Sequence, residues 1–131
     1  MRIMTTFIAC VAIALVSQSS LALSIPPNQV DEQRVYWGNT DNFDKPAEVD
    51  YKAVVVATPE YQEMKKKKVE KGTAKYWILL NSASERALRV IASVAEDSEF
   101  DLVVDRGFLA ALEPPLEGND ITEGVLENIG K

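Results

Sequence analysis

Histidine is missing from this chain altogether, and its one cysteine, Cys10, sits inside an apolar run near the start. That run, Phe7 to Val16, follows Arg2 and precedes Ser20 and Ala22, small residues at the −3 and −1 positions of a cut ahead of Leu23. Residues 1–22 therefore read as a removable secretion signal. Ten unbroken apolar residues fall short of the roughly 20 that a membrane-spanning helix needs. A lipid-attachment cysteine would end the run, whereas Cys10 has apolar residues on both sides. With the signal gone no cysteine is left, which excludes disulfides and thiol chemistry. The two absences together remove the usual transition-metal ligands, the Ser-His-Asp and Cys-His nucleophile systems and the commonest general base. An enzyme built from this chain would work with carboxylates, Lys and Tyr alone. No EF-hand loop, phosphate-binding loop, Gly-x-Gly-x-x-Gly or Asn-x-Ser/Thr sequon occurs. The expectation is a chain with no catalytic residues, no metal site and no cofactor.

What is present is a charge asymmetry. The full chain carries a net −6, and loss of Arg2 takes it to −7. Between Tyr61 and Tyr76, Lys65, Lys66, Lys67, Lys68, Lys71 and Lys75 outnumber Glu63 and Glu70 by four. The remainder is then −11, so a basic tip stands on an acidic body. An acidic whole argues against nucleic acid as a partner, while the tip suits acidic polypeptide segments or anionic lipid.

The 109 residues after the signal suffice for one small domain. Residues 23–46 are polar and rich in turn formers, with no helical period, and read as an extended lead-in. Val35, Tyr36 and Trp37 are its one apolar cluster, either an edge strand on the body or disordered. Residues 47–51 form a first short strand ending at Asp50. Residues 52–57 fit a helical turn or a strand, with Val54, Val55 and Val56 favouring strand by propensity.

Thr58-Pro59-Glu60 starts a helix, Thr58 as a cap and Pro59 at a position where a missing donor costs nothing. The first arm runs to Lys71 with Tyr61, Met64 and Val69 as a thin apolar stripe, and Gly72 closes it through positive φ. The second arm runs from Thr73 to Ala95, about 34 Å at 1.5 Å per residue. Tyr76, Leu80, Ala83, Ala87, Val90 and Val94 recur at heptad spacing and require burial. Leu79, Leu88 and Ile91 widen that face. Residues 100–104 are a strand, and residues 108–112 a second strand that would make a hairpin with it across Arg106-Gly107. Asp101 and Asp105 then share a side about 13 Å apart, too far for a carboxylate pair in acid-base chemistry. Asp120-Ile-Thr-Glu123 has the form of a capping box, opening a last helix that buries Ile121, Val125, Leu126 and Ile129 and stops at Gly130.

The order of strand, helical hairpin, short strands and capped helix resembles the Skp/OmpH family of periplasmic chaperones. Asp101-Leu-Val-Val-Asp105 is similar to the family's strand after the returning arm, and Asp120-Ile-Thr-Glu-Gly-Val-Leu126 to its C-terminal Asp-Ile-Thr-x-x-Val-Leu segment. Val49-Asp50-Tyr-Lys-Ala-Val54 with Thr58-Pro59-Glu60 looks like its first strand and Ser-Pro arm start. The resemblance covers residues 47–129 and implies a homotrimer joined through its strands, with holdase activity toward unfolded outer-membrane or secreted proteins and no ATP. The arms here are far shorter than in the family's best-known members, and the lead-in has no counterpart there.

The expected fold is therefore α+β: a helical hairpin of short coiled-coil arms, residues 59–96, projecting from a small β body with a C-terminal helix, within a domain spanning 47–131. Val49, Leu102, Val103, Val104, Val125 and Leu126 are the expected core and oligomer residues. Client or lipid contact falls to the six lysines with Met64, Trp77 and Ile78 near the bend. A plainer reading makes the lysines a solvated tip, Tyr76 a seam residue and Trp77 a packing contact across the hairpin. Trp77 and Ile78 cannot both face the seam with Tyr76, so at least one is exposed in a monomer. The expected function is a secreted, periplasmic holdase, with a non-catalytic adaptor of the cell envelope as the alternative.

Overall fold

The computed structural model describes residues 22–130. The expected signal lies outside the described residues except for Ala22, and no helix among the described residues is long and apolar enough to cross a membrane. The elements are β1 (Val35–Gly38), β2 (Pro46–Val49), α1 (Tyr51–Ala57), α2 (Pro59–Lys66), α3 (Ala74–Asp97), β3 (Leu102–Asp105), β4 (Asn119–Asp120) and α4 (Thr122–Asn128). The fold is mixed α+β, with one sheet in the order β1-β3-β2-β4.

β3 pairs with β1 antiparallel and with β2 parallel, and β2 pairs with β4 parallel. Parallel β2 and β3 are possible because α1, α2 and α3 lie between them and supply the crossover. The expected hairpin from β3 into residues 108–112 does not form. Gly107 turns the chain at φ 86°, the Phe108 N–H bonds back to the Asp105 carbonyl, and Leu109–Ala111 is a 3-10 turn. Phe108, Leu109 and Leu112 are all buried, a spacing of one and three that suits a helical turn, whereas a half-buried strand alternates.

β3 carries the core. Val103 is buried among residues of α1, α3 and α4, while Leu102 and Val104 are buried on the other face with Ile25, Phe43, Phe108, Leu109 and Leu112. The lead-in is thus no free extension. It packs Ile25 and Phe43 under the sheet, Leu23 pairs with Phe43, and Val35–Gly38 adds an edge strand. Gly38 has φ 93°, and a Cβ there would lie 2.1 Å from the Asp101 carbonyl oxygen, so only glycine fits. Val49, Leu102, Val103, Val104 and Val125 are fully buried within one chain, and Leu126 is partly buried.

Residues 51–57 are helix despite three consecutive valines. Asp50 accepts the Ala53 N–H at 3.2 Å, and burial of Val54 and Val55 against α3 and α4 outweighs a propensity difference of about 1 kcal/mol. Thr58 serves two helices. Its hydroxyl donates to the Val55 carbonyl at 2.7 Å and accepts the Tyr61 N–H at 3.2 Å, closing α1 and opening α2.

The first arm ends at Lys66, five residues before Lys71. Lys68 takes φ 49°, its N–H bonds to the Lys65 carbonyl, and the Val69 N–H reaches Met64. That is a Schellman end with lysine in the glycine position. α3 ends the same way: Glu99 has φ 61°, its N–H bonds to Glu96, and the Phe100 N–H reaches Ala95. The buried row on α3 is Ala83, Ala87, Ile91 and Ala95, with Tyr76, Leu80, Val90 and Val94 of the expected seam partly buried. A spacing of four follows a ridge of a helix packed on several neighbours; α2 covers part of α3, while α1, α4 and the sheet take the rest. At the other end Ile121, not Asp120, occupies the cap position of α4, and Asp120 belongs to β4. Its carboxylate still accepts the Thr122 N–H at 3.0 Å, one residue out of register with the expected box.

Candidate functional site

The end of the molecule where α2 turns into α3 gathers the expected contact residues. Lys65, Lys66, Lys67, Lys68, Lys71 and Lys75 are all exposed. Three of them crowd the C-terminus of α2, where the helix dipole favours cations. Lys67 pairs with Glu63 at 2.5 Å, and this hydrogen bond holds the Glu63 carboxyl below its usual range. Lys65 stands 6.0 Å from the centroid of the Tyr61 ring.

Trp77 and Ile78 are 55% and 65% exposed. Trp77 is more than half open to solvent, and its ring meets Tyr76 edge-on at 5.3 Å and 83°. Met64 has to be withdrawn from the contact surface. It is 5% exposed, because the inner face of an eight-residue helix lying on α3 has no other apolar residue at that level. Leu88, which the sequence places on the widened apolar face of α3, is a third large hydrophobic that stays exposed.

α2 is fastened by Glu60, whose two carboxylate oxygens each accept from Arg86 Nε at 2.8 Å. Those bonds hold the Glu60 carboxyl below its ordinary value. Beside the fastening, a groove of about 330 Å³ opens between α1, α2 and α3. Sequence reasoning missed it, because it needs α1 as a wall and the three valines concealed that helix.

A second polar assembly lies at the C-terminal ends of β2 and β3 and beside β4. Arg106 reaches Asp120 at 2.6 Å and Asp50 at 3.5 Å, and Thr122 Oγ1 accepts the Asp50 N–H at 3.0 Å. Burial opposes the charge on Asp120, but bonds from Thr122 and Arg106 outweigh it and hold that carboxyl low. Burial and the Asp105 carboxylate push the Tyr36 phenol well up, so it stays protonated. Asp101 accepts the Asp44 and Lys45 N–H groups at 2.7 and 2.8 Å, and Asp105 accepts from Arg34. Each of these carboxylates is engaged in tying segments together. Among the described residues no group of three potential metal ligands occurs.

Compared with family models, curated proteins and solved structures, the chain matches none.

Proposed function

We propose that this chain is a secreted, periplasmic, ATP-independent holding protein that binds unfolded outer-membrane or secreted polypeptide and catalyses no reaction. One observation carries the reading: Trp77 and Ile78 stand exposed beside six exposed lysines on an otherwise acidic chain. Aromatic and aliphatic side chains contact non-native segments through area alone, and the lysines add attraction for acidic ones. The Skp/OmpH-like segments at Asp101 and Asp120 point the same way. In this reading α2 with the front of α3 is a shortened hairpin arm. Three copies join through the outer strands of the sheet, since β3 is flanked on both sides within one chain. An unfolded outer-membrane barrel diluted with excess chain should stay in solution, and light scattering should give three chain masses.

A second reading has one observation in its favour. The rear of α3 is core, with Ile91 and Ala95 fully buried, which leaves little arm to enclose a client. A body that keeps the fold as an envelope adaptor would give no protection at stoichiometric excess.

A further inference from the structure

The groove between α1, α2 and α3 is a different surface from the Trp77 and Ile78 strip. Tyr51, Val55 and Val56 form one wall, and Tyr61, Tyr76 and Leu80 the other. Successive residues of a helix point about 100° apart, so Trp77 and Ile78 turn away from the groove that Tyr76 and Leu80 line.

We propose that this groove binds a linear polypeptide segment in which an apolar pair is flanked by Asp or Glu. The apolar part follows from the lining, which mixes aliphatic side chains with three tyrosines. Phenol hydroxyls can bond the main chain of an extended segment, and an acyl chain offers no such partner. The acidic part follows from charge complementarity. Lys52 lines the groove, and Lys65 stands by the Tyr61 ring. Neither of these two makes an ion pair among the described residues, whereas the nearby Glu60 and Glu63 are held by Arg86 and Lys67. The field left over at the groove is positive. Two-fold pairing with a second copy would set these lysines against their own counterparts, which disfavours that occupant.

A display library of random peptides about twelve residues long, panned on the full chain, tests the proposal. Enriched peptides should carry an aromatic or aliphatic pair beside Asp or Glu, and a synthetic copy should shift the amide resonances of residues 51–56, 61, 76 and 80. Lys52→Glu with Ser84→Glu should weaken that peptide about tenfold or more and leave suppression of barrel aggregation unchanged. If the double variant does not fold, Lys52→Glu alone, at an exposed position, should still weaken it severalfold. Enrichment of basic peptides, no enrichment, or shifts confined to other residues would overturn the proposal. So would phosphatidylglycerol vesicles competing fully with the peptide, or a groove closed by dimerisation.

Discussion

Arg86 on α3 holds both carboxylate oxygens of Glu60 on α2. This pair sets where the short helix lies. Glu60 is charged when folded at a pH where it would otherwise begin to protonate. Because its folded-state value is lowered, the contribution is fully present above the ordinary glutamate value of about 4.3. It is lost as the pH falls through the folded-state value. Amide exchange should show α2 loosening over that acid window in the parent chain. Glu60→Gln should already be about two- to fivefold less protected in α2 at neutral pH, with no further acid step from this site.

Lys68 and Glu99 sit at the left-handed position of two Schellman ends, at φ 49° and 61°. A side chain costs about 1 kcal/mol there, and glycine recovers part of it after its own entropy loss. Glu99→Gly should therefore raise stability by about 0.5 kcal/mol in urea unfolding, while Glu99→Val should lower it.

Gly38 is the opposite case. Its φ of 93° and the 2.1 Å approach to the Asp101 carbonyl leave no room for a Cβ. Gly38→Ala should cost about 2–3 kcal/mol and separate β1 from β3, visible as lost amide protection at Leu102 and Val104.

Thr58 is fully buried with its hydroxyl committed to both α1 and α2. Thr58→Val keeps the shape and removes both bonds, which should cost about 1–2 kcal/mol. Loss of the cap should also unwind the start of α2, measured by circular dichroism and by exchange at Tyr61.

Much of this architecture could be read from residues. Thr58-Pro59 announced α2, the small residues at Ala83 and Ala87 announced close packing, and the apolar run at Leu102 announced a buried strand. Where the sequence left a segment open or misplaced its end, the cause is physical. Three valines at 54–56 look like a strand until α3 and α4 bury two of them. Lys68 ends α2 in a conformation that a sequence assigns to Gly72, since glycine is the residue that takes positive φ without strain. The lead-in looks polar because its two anchors, Ile25 and Phe43, are isolated in sequence and meet only under the sheet. At the candidate site the lysines and the exposed Trp77 and Ile78 were legible. The groove was not, because its walls come from three separate helices.

The central claim, that Trp77 and Ile78 present a surface for non-native polypeptide, is tested most directly by suppression of barrel aggregation with the parent chain and Trp77→Ser/Ile78→Ser. Both positions are more than half exposed, so the double variant should keep its fold and melting temperature. The account predicts protection by the parent chain at stoichiometric excess and loss of most of it in the variant. Equal protection by both, or none by the parent chain, would contradict it.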